Sequence, residues 1–422
     1  MTRALLVSLS APEMDRLAVE LATRKSLVGV VRRYVNKNRW WERALSRVPG
    51  FSGIYASTLG RRVPPAGLHA SLVIEAGVAA DVAAAVTSRI GRRFPAFQHR
   101  YGKGLLQSTE LGVANAGGRF VSRADVVVGS YHVALPAFRQ ARASGCKTVL
   151  NYPIAHHRWQ YRFFAEQARK YPQFAAALPQ FGPTEEHAAG LDREIELADL
   201  ILVGSGFVRD SFVSQGIASE RIRVIPYGAD AQRFTPPAQP RRGDGPMRLL
   251  FVGQIGERKG ISHLLNAYRV FQKPDTELHL VGNFVTGREV YAPYHDLFRH
   301  TPNVAQKQLP ALMHAADVFV FPTLVEGMPM VVLEAMACGL PVIVTPNGPG
   351  DVVRDGVDGF IIPPNDPDAL VDRLERLYAD PQLRLEMGQN ARRQAEKWTW
   401  ARYAQTAATT VLELGRASEQ PA

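Results

Sequence analysis

Cysteine is scarce in this chain: Cys146 and Cys338 are the only two among 422 residues. They stand far apart with no metal-ligand spacing. That excludes a disulfide framework and a cysteine-based zinc site, and both thiols read as small buried hydrophobes in a reducing compartment. Long hydrophobic runs are missing too, since no apolar stretch approaches the ~20 residues that cross a bilayer. The N-terminal MTRALLVSLSAPEMDRL has too short an apolar run, with acidic residues too early, to read as a signal peptide. A cytoplasmic protein is expected, with room for peripheral attachment to the inner face of the membrane. Histidine and the carboxylates form no cluster with metal-ligand spacing, so no metal is expected and no cofactor beyond a co-substrate. Internal repeats, low-complexity segments and an RNA-recognition signature are all absent, and no nucleic-acid partner is expected.

What is present points to a soluble α/β protein. Apolar residues make up 46% and charged residues 21%, which excludes a disordered chain, a collagen and a coiled coil. The length suits two domains. Short apolar runs (RALLVSL, SLVIEAG, ADVVVGS, KTVLNYP, ADLILVGS, IRVIPYG) alternate with helical stretches such as 135–144, the pattern of a parallel sheet covered on both faces. FTPPAQPRRGDGPM reads as a linker, after which the alternation restarts with MRLLFVG, ELHLVG, DVFVFP and PVIVTP. The expected division is a first domain over 1–232, a linker over 233–247 and a second domain over 248–397. A C-terminal helix of about 398–418 is expected to pack back on the first. Residues 172–191 fit either a loop or a short helix.

Charge is distributed unevenly. Residues 1–232 carry 30 Lys/Arg against 18 Asp/Glu, whereas residues 233–422 carry 20 against 21. A basic first half attracts phosphates or anionic lipid. Within it, Arg24–Arg47 holds eight Lys/Arg against Glu42 alone, interrupted by Trp40 and Trp41. Basic residues with interfacial aromatics suit contact with an anionic membrane surface; a solvated face with inward tryptophans is the plainer alternative, and RNA contact a lesser one.

Three motifs carry chemistry. In EGMPMVVLEAMACGLPVIVT, Glu326 and Glu334 are eight apart, slightly over two helical turns, so both lie near one helix face. Glu326 closely follows the strand VFVFP, Gly327 and Pro329 make a turn with Met328 between them, and Met330 opens a helix. The carboxyl edge of an open α/β sheet is where ligands bind, and a helix start offers N–H groups to a phosphate. Carboxylates accept hydrogen bonds from paired sugar or ribose hydroxyls. In LLFVGQIGERKGISHLLNAY a strand ends at Gly253, Gln254 follows, and Arg258 and Lys259 precede a helix. A forked and a point cation beside a helix N-terminus suit a diphosphate. ERIRVIPYGADAQRF is a strand running into a tight turn. In the first half, NYPIAHHRW places His156 and His157 after a strand, with His132 a lesser candidate.

These motifs, in this order, resemble the retaining GT-B glycosyltransferases of the glycogen-synthase-like group, glycosyltransferase family four (glycosyl transferases group 1). The resemblance spans about residues 195–405 and rests on VIPYGAD…F, VGQIGERKG, the paired-glutamate segment and GPGDVVRDGVDGFIIPPND; it is weaker over 1–150. It implies a GT-B fold, two Rossmann-like doubly wound parallel-sheet domains facing across a cleft. It also implies a nucleoside-diphosphate sugar bound mainly by the second domain, and no metal. Carried over, Glu326 holds donor-sugar hydroxyls and Glu334 the ribose. Lys259 with Arg258 holds the diphosphate and stabilises the leaving group, and His156 or His157 stands on the acceptor side. Gly253, Gln254, Gly327, Met328, Pro329 and Met330 complete the donor-binding set. The family usually has arginine where Gln254 stands and glutamate where Asp351 stands.

The function implied is transfer of a sugar, with retention, to a hydroxyl of a saccharide or lipid-linked acceptor in cell-surface polysaccharide or glycolipid assembly. The basic first half without a membrane span is what favours such an acceptor. The competing readings are a GT-B-shaped sugar-nucleotide epimerase and a non-catalytic basic protein that binds nucleotides or nucleic acid.

Overall fold

The computed structural model describes residues 2–48, 52–91, 95–179, 184–238, 245–285 and 288–416. Residues 239–244 of the expected linker and residues 417–418 of the expected C-terminal helix lie outside these. The alternating apolar runs form two sheets. The first has seven strands, β1 (Ala4–Val7), β2 (Leu27–Arg32), β3 (Val73–Glu75), β4 (Val126–Ser130), β5 (Lys147–Asn151), β6 (Leu200–Val203) and β7 (Ile222–Val224). The second has six, β8 (Met247–Val252), β9 (Thr276–Val281), β10 (Arg299–Thr301), β11 (Val318–Phe321), β12 (Val342–Val344) and β13 (Gly359–Ile361). Their orders are β3-β2-β1-β4-β5-β6-β7 and β10-β9-β8-β11-β12-β13. The strand pairs are parallel, as a chain of strand–helix repeats requires. Strands β1, β4, β6 and β11 are buried along their whole length, which is why they read as unbroken apolar runs without polar alternation.

Each sheet reverses its winding once. β1 pairs with both β2 and β4, and β8 pairs with both β9 and β11. Crevices at the carboxyl ends of such strands are the binding positions of doubly wound sheets. In the first sheet, Ser130 Oγ donates to Ser8 Oγ there (3.0 Å), and Asn151 Nδ2 donates to Glu13 Oε1 (3.1 Å). Burial raises the pKa of the Glu13 carboxyl.

The chain forms two compact units. One comprises Met1–Tyr152, Glu185–Leu202 and Ala404–Ala422; the other comprises Pro153–Thr184 and Val203–Tyr403. The C-terminal helix, Trp400–Arg416, enters the first unit, where Arg24 Nη1 donates to Thr409 Oγ1 at 2.9 Å. Residues 172–191 contain both a 3-10 turn, Pro172–Ala177, and the start of the helix Glu185–Leu197; residues 180–183 are outside the described set.

The basic stretch Arg24–Arg47 is not one amphipathic surface element. It is strand β2, a connecting loop, and the six-residue helix Trp40–Leu45. Arg24 pairs with Glu20 and Arg32 with Asp15, both at 2.8 Å, and Lys37 Nζ with Glu75 at 3.5 Å. Arg39 takes Glu75 and Glu42, and Tyr34 donates to Glu42 at 2.9 Å. Trp41 lies against Tyr34, while Trp40 is 75% exposed. Four of the eight cations, Arg24, Arg32, Lys37 and Arg39, are therefore matched by carboxylates within the first unit, while Lys25, Arg43 and Arg47 are exposed.

Glu194 organises the loop after β4. Its carboxylate accepts the backbone N–H groups of His132 (2.9 Å), Ala134 (2.8 Å) and Leu135 (3.1 Å), donors at the start of the helix Leu135–Ala143. His132 is thereby held at φ +73°, its ring stacked on His187. Burial pushes the Glu194 carboxyl up to about 7. Glu194→Gln should therefore cost about 1–3 kcal/mol in urea unfolding, since the amide cannot accept all three donors. Because the folded-state pKa lies above the unfolded one, Glu194 contributes most below about pH 4.5 and progressively less up to about pH 7. The stability gap between wild type and variant should narrow over that window, and a gap independent of pH would contradict the assignment.

Candidate active site

The paired-cation loop and the glutamate loop meet at the carboxyl edge of β8 and β11 in the second unit. After β8, Gly253 N–H donates to the Val281 carbonyl (2.9 Å) and the chain turns away from the sheet, leaving Gln254 exposed. A 3-10 turn, Glu257–Lys259, leads into the helix Ile261–Phe271 through Gly260. Gly260 has φ +69°, and a Cβ there would stand 2.0 Å from the Pro322 carbonyl oxygen, so only glycine fits. Buried Glu257 fixes the turn by accepting Ser262 N–H (3.2 Å), Ser262 Oγ–H (2.6 Å) and Tyr291 O–H (2.6 Å).

The two loops are tied by backbone. The Arg258 carbonyl accepts Leu324 N–H (2.9 Å), Val325 N–H (3.2 Å) and Thr323 Oγ–H (3.1 Å). Thr345 Oγ donates to the Thr323 carbonyl (2.6 Å) and Asn347 Nδ2 to the Leu324 carbonyl (2.7 Å), bracing the second loop from behind. The result sets three charged groups together. Glu326 accepts from Arg258 Nη1 at 3.0 Å and is in contact with Lys259 Nζ. Lys259 is buried, its ammonium 4.7 Å from the centre of the Phe321 ring. Burial, with Arg258 beside it, presses the Lys259 amine well below its usual range; the Glu326 carboxylate works against that shift by favouring the ammonium.

Beyond Glu326, Gly327 passes so close to residues 153–154 that a Cβ would fall 1.6 Å from the Pro153 carbonyl oxygen. Ser205 Oγ donates to the Gly327 carbonyl at 2.6 Å. Met328 and Pro329 are buried, and Pro329 precedes the helix Met330–Ala337. On that helix Glu334 is buried and accepts from Gln306 Nε2 at 3.2 Å; Gln306 Oε1 accepts from Arg233 Nη1 at 3.2 Å. Burial raises the Glu334 carboxyl, opposed by the Gln306 bond and by Arg233.

His156 and His157 share the second unit with this site. Ala155, just before them, packs with Leu324 and Val325, just before Glu326. His156 begins the helix His157–Lys170, with its Nδ1 accepting Arg158 N–H (3.2 Å) and its own N–H donating to Ser211 Oγ (2.9 Å). Its ring stacks on His157 with centroids 4.4 Å apart, and both are buried. His132 belongs to the other unit.

The structure adds residues that the motifs did not single out. Ser205 occupies an N-cap position before the helix Gly206–Val213, a serine-before-helix signal visible in GSGFV. Gln306 stands 28 positions from Glu334, and no local pattern announces it. Asp351, where the resembling family usually has glutamate, accepts Gly206 N–H.

Comparison with known proteins bears on the same residues. Residues 233–394 match the family described as glycosyl transferases group 1. A D-inositol 3-phosphate glycosyltransferase of Paenarthrobacter aurescens is 32% identical over 53% of this chain and 58% of its own length. A GDP-mannose-dependent alpha-(1-6)-phosphatidylinositol monomannoside mannosyltransferase of Mycolicibacterium smegmatis is 30% identical over 48% of this chain and 59% of its own. The chain thus spans under two thirds of these curated relatives. Among solved structures, a sucrose-phosphate synthase of Thermosynechococcus elongatus matches with TM-score 0.62 at 19% identity, covering 99% of this chain and 100% of that one. HepE of Anabaena, in complex with UDP and glucose, matches with TM-score 0.60 at 16% identity, covering 98% and 100%. At such identities the likeness is one of fold, and the fold is GT-B, with two Rossmann-like parallel-sheet domains. Residues 233–394, over which the chain matches the glycosyl transferases group 1 family, contain Arg258, Lys259, Glu326 and Glu334.

Proposed function

We propose that this chain is a retaining, metal-independent glycosyltransferase. It moves a sugar from a nucleoside-diphosphate sugar to a hydroxyl of a saccharide, polyol or lipid-linked acceptor, in assembly of a cell-surface polysaccharide or glycolipid. The observation that carries the reading is the Glu326 carboxylate held by Arg258 and Lys259 at a sheet edge inside the family domain. Two cations beside a helix start, one forked and one a point charge, fit a diphosphate and supply the positive charge that a divalent ion supplies in other transferases. The inositol phosphate and phosphatidylinositol mannoside acceptors in the relatives' names support a polyol or lipid-linked acceptor.

In this mechanism the donor diphosphate replaces the Glu326 carboxylate as the partner of Arg258 and Lys259. Glu326, released from them, accepts hydrogen bonds from the sugar hydroxyls, and Glu334, oriented by Gln306, accepts from the ribose. The bond between the anomeric carbon and the phosphate oxygen breaks as the acceptor oxygen approaches the same face. The acceptor proton passes to the departing phosphate, whose charge is stabilised by Arg258 and Lys259. His156 or His157 contacts the reacting sugar from the acceptor side.

Three outcomes test this. Lys259→Ala should weaken binding of the cognate nucleoside diphosphate by roughly 1.5–3 kcal/mol, as read by calorimetry, because a charge-assisted contact in a buried site is lost. Glu326→Gln should abolish most turnover yet tighten the same nucleoside diphosphate, since the neutral amide no longer competes for the two cations; weaker nucleotide binding in this variant would contradict the exchange. Transfer activity should persist in EDTA, and a loss that magnesium or manganese restores would show that the leaving group depends on a metal.

A further inference from the structure

The connection from β2 to β3, residues 33–72, carries seven Lys/Arg and a single carboxylate, Glu42, which is buried. The stretch therefore shows solvent no carboxylate of its own. Lys37, Arg39 and Arg62 are taken by the buried carboxylates of Glu75, Glu42 and Asp81. Arg43, Arg47 and Arg61 are exposed, and none of them meets a carboxylate among the described residues. The three lie on adjoining elements. After the helix Trp40–Leu45 the turn continues, with Arg47 N–H donating to the Ala44 carbonyl at 3.0 Å. Helical spacing puts Trp40, Arg43, Ala44 and Arg47 on one face, and all four are exposed. The opposite face carries Glu42 and Trp41, and Trp41 packs in a cluster with Tyr34, Tyr55 and Leu59. Leu59 opens the 3-10 turn Leu59–Arg61, so helix and turn rest on one support. Asn36 ties them further. It donates to the Arg62 carbonyl (N–H, 2.6 Å) and the Gly60 carbonyl (Nδ2, 3.3 Å), while its Oδ1 accepts Asn38 N–H (2.9 Å). The Asn38 carbonyl in turn accepts Arg43 Nη1 at 2.9 Å.

Apolar groups stand among these cations. Trp40 is 75% exposed, Val63 61% and Val48 44%. Tryptophan is highly buried on average, and the place where its ring is favoured at a surface is the headgroup depth of a bilayer. Cations around it attract anionic headgroups. Nucleic acid, the other polyanion, is held on aromatic rings that stack successive bases. Here the neighbouring ring, Trp41, is turned inward, with the Arg39 guanidinium 5.6 Å from its centre. We propose that the face formed by Trp40, Arg43, Arg47, Arg61 and Val63 docks the first unit on an anionic lipid bilayer. The segment ahead of this face is pinned to the last residue of β3, where Val35 N–H donates to Glu75 Oε1 at 2.9 Å. The face thus adjoins the carboxyl edge of the first sheet, the edge at which doubly wound sheets bind ligands. A lipid-linked acceptor is then met where its headgroup lies. That consequence rests on the glycosyltransferase reading above; the docking face does not.

The test is co-sedimentation of the full-length protein with phosphatidylcholine vesicles, with and without phosphatidylglycerol, at low and high salt. Wild type should bind the anionic vesicles alone and be released by salt. Replacing Arg43, Arg47 and Arg61 together by Gln should lower the partition about a hundredfold, roughly fivefold per cation. A control triple that removes the same charge from exposed positions of the second unit, Arg223→Gln with Arg393→Gln and Lys397→Gln, should bind as wild type. Brominated phosphatidylcholine in the anionic vesicles should quench the tryptophan fluorescence of wild type, and Trp40→Phe should bind yet lose most of that quenching. Equal losses in the two triples, equal binding to neutral and anionic vesicles, no vesicle binding by wild type, or unchanged quenching in Trp40→Phe overturns the face. Tighter binding to single-stranded RNA than to anionic vesicles, lost in the first triple, assigns the face to nucleic acid and overturns it as well. Nucleotide-sugar hydrolysis without vesicles should be the same in wild type and the first triple. If wild type neither binds nor hydrolyses any nucleotide sugar while vesicle binding still depends on the three arginines, the glycosyltransferase reading fails and the docking face stands.

Discussion

A buried ammonium persists only beside a carboxylate, and the second unit is arranged around that constraint. Lys259 is carried by the loop after β8 and Glu326 by the loop after β11, so neither loop can move without uncovering a charge. The Arg258 side chain adds to the pair, and the Arg258 backbone carbonyl, by receiving three donors from residues 323–325, keeps the two loops in register. The polar braces of this junction are Glu257 on Ser262 and Tyr291, Thr345 on Thr323, and Asn347 on Leu324. Such a network is costly half-made and rigid when complete. It holds the two cations close together around the Glu326 carboxylate.

Much of this junction was legible in the sequence because its parts are local. The helix over Met330–Ala337, the strand ahead of Glu326 and the glycine between Lys259 and a helix each follow from residue types within a few positions. Fully apolar strands announced a sheet covered on both faces for the same reason. What could not be read were contacts between elements distant in sequence. Gln306 reaches Glu334 from the connection after β10, and Ser205 reaches Gly327 from the connection after β6. Neither pair has a spacing that a helix or strand period would reveal.

The basic stretch near the N-terminus shows the converse. Eight cations against one carboxylate look like an open field when counted along the chain. In space partners for four of the eight arrive from Asp15, Glu20 and Glu75 as well as the local Glu42, and the field is about halved. Net charge over a window predicts solvent exposure only when the compensating residues lie in the same window.

The distribution of the chain between its two units bears on recombination. Four times the backbone passes from one to the other, near residues 152, 184, 202 and 403. A chimera that grafts 233–394 onto another first half would bring Arg258, Lys259, Glu326 and Glu334 intact but leave behind Ser205, which holds the Gly327 carbonyl, and Ala155, which packs on Val325. The Pro153 carbonyl, against which Gly327 lies with no room for a side chain, would stay behind too. Crossover points that respect the packing lie near 203 and 403, with 153–184 transplanted alongside; within those limits the second unit becomes a transferable cassette.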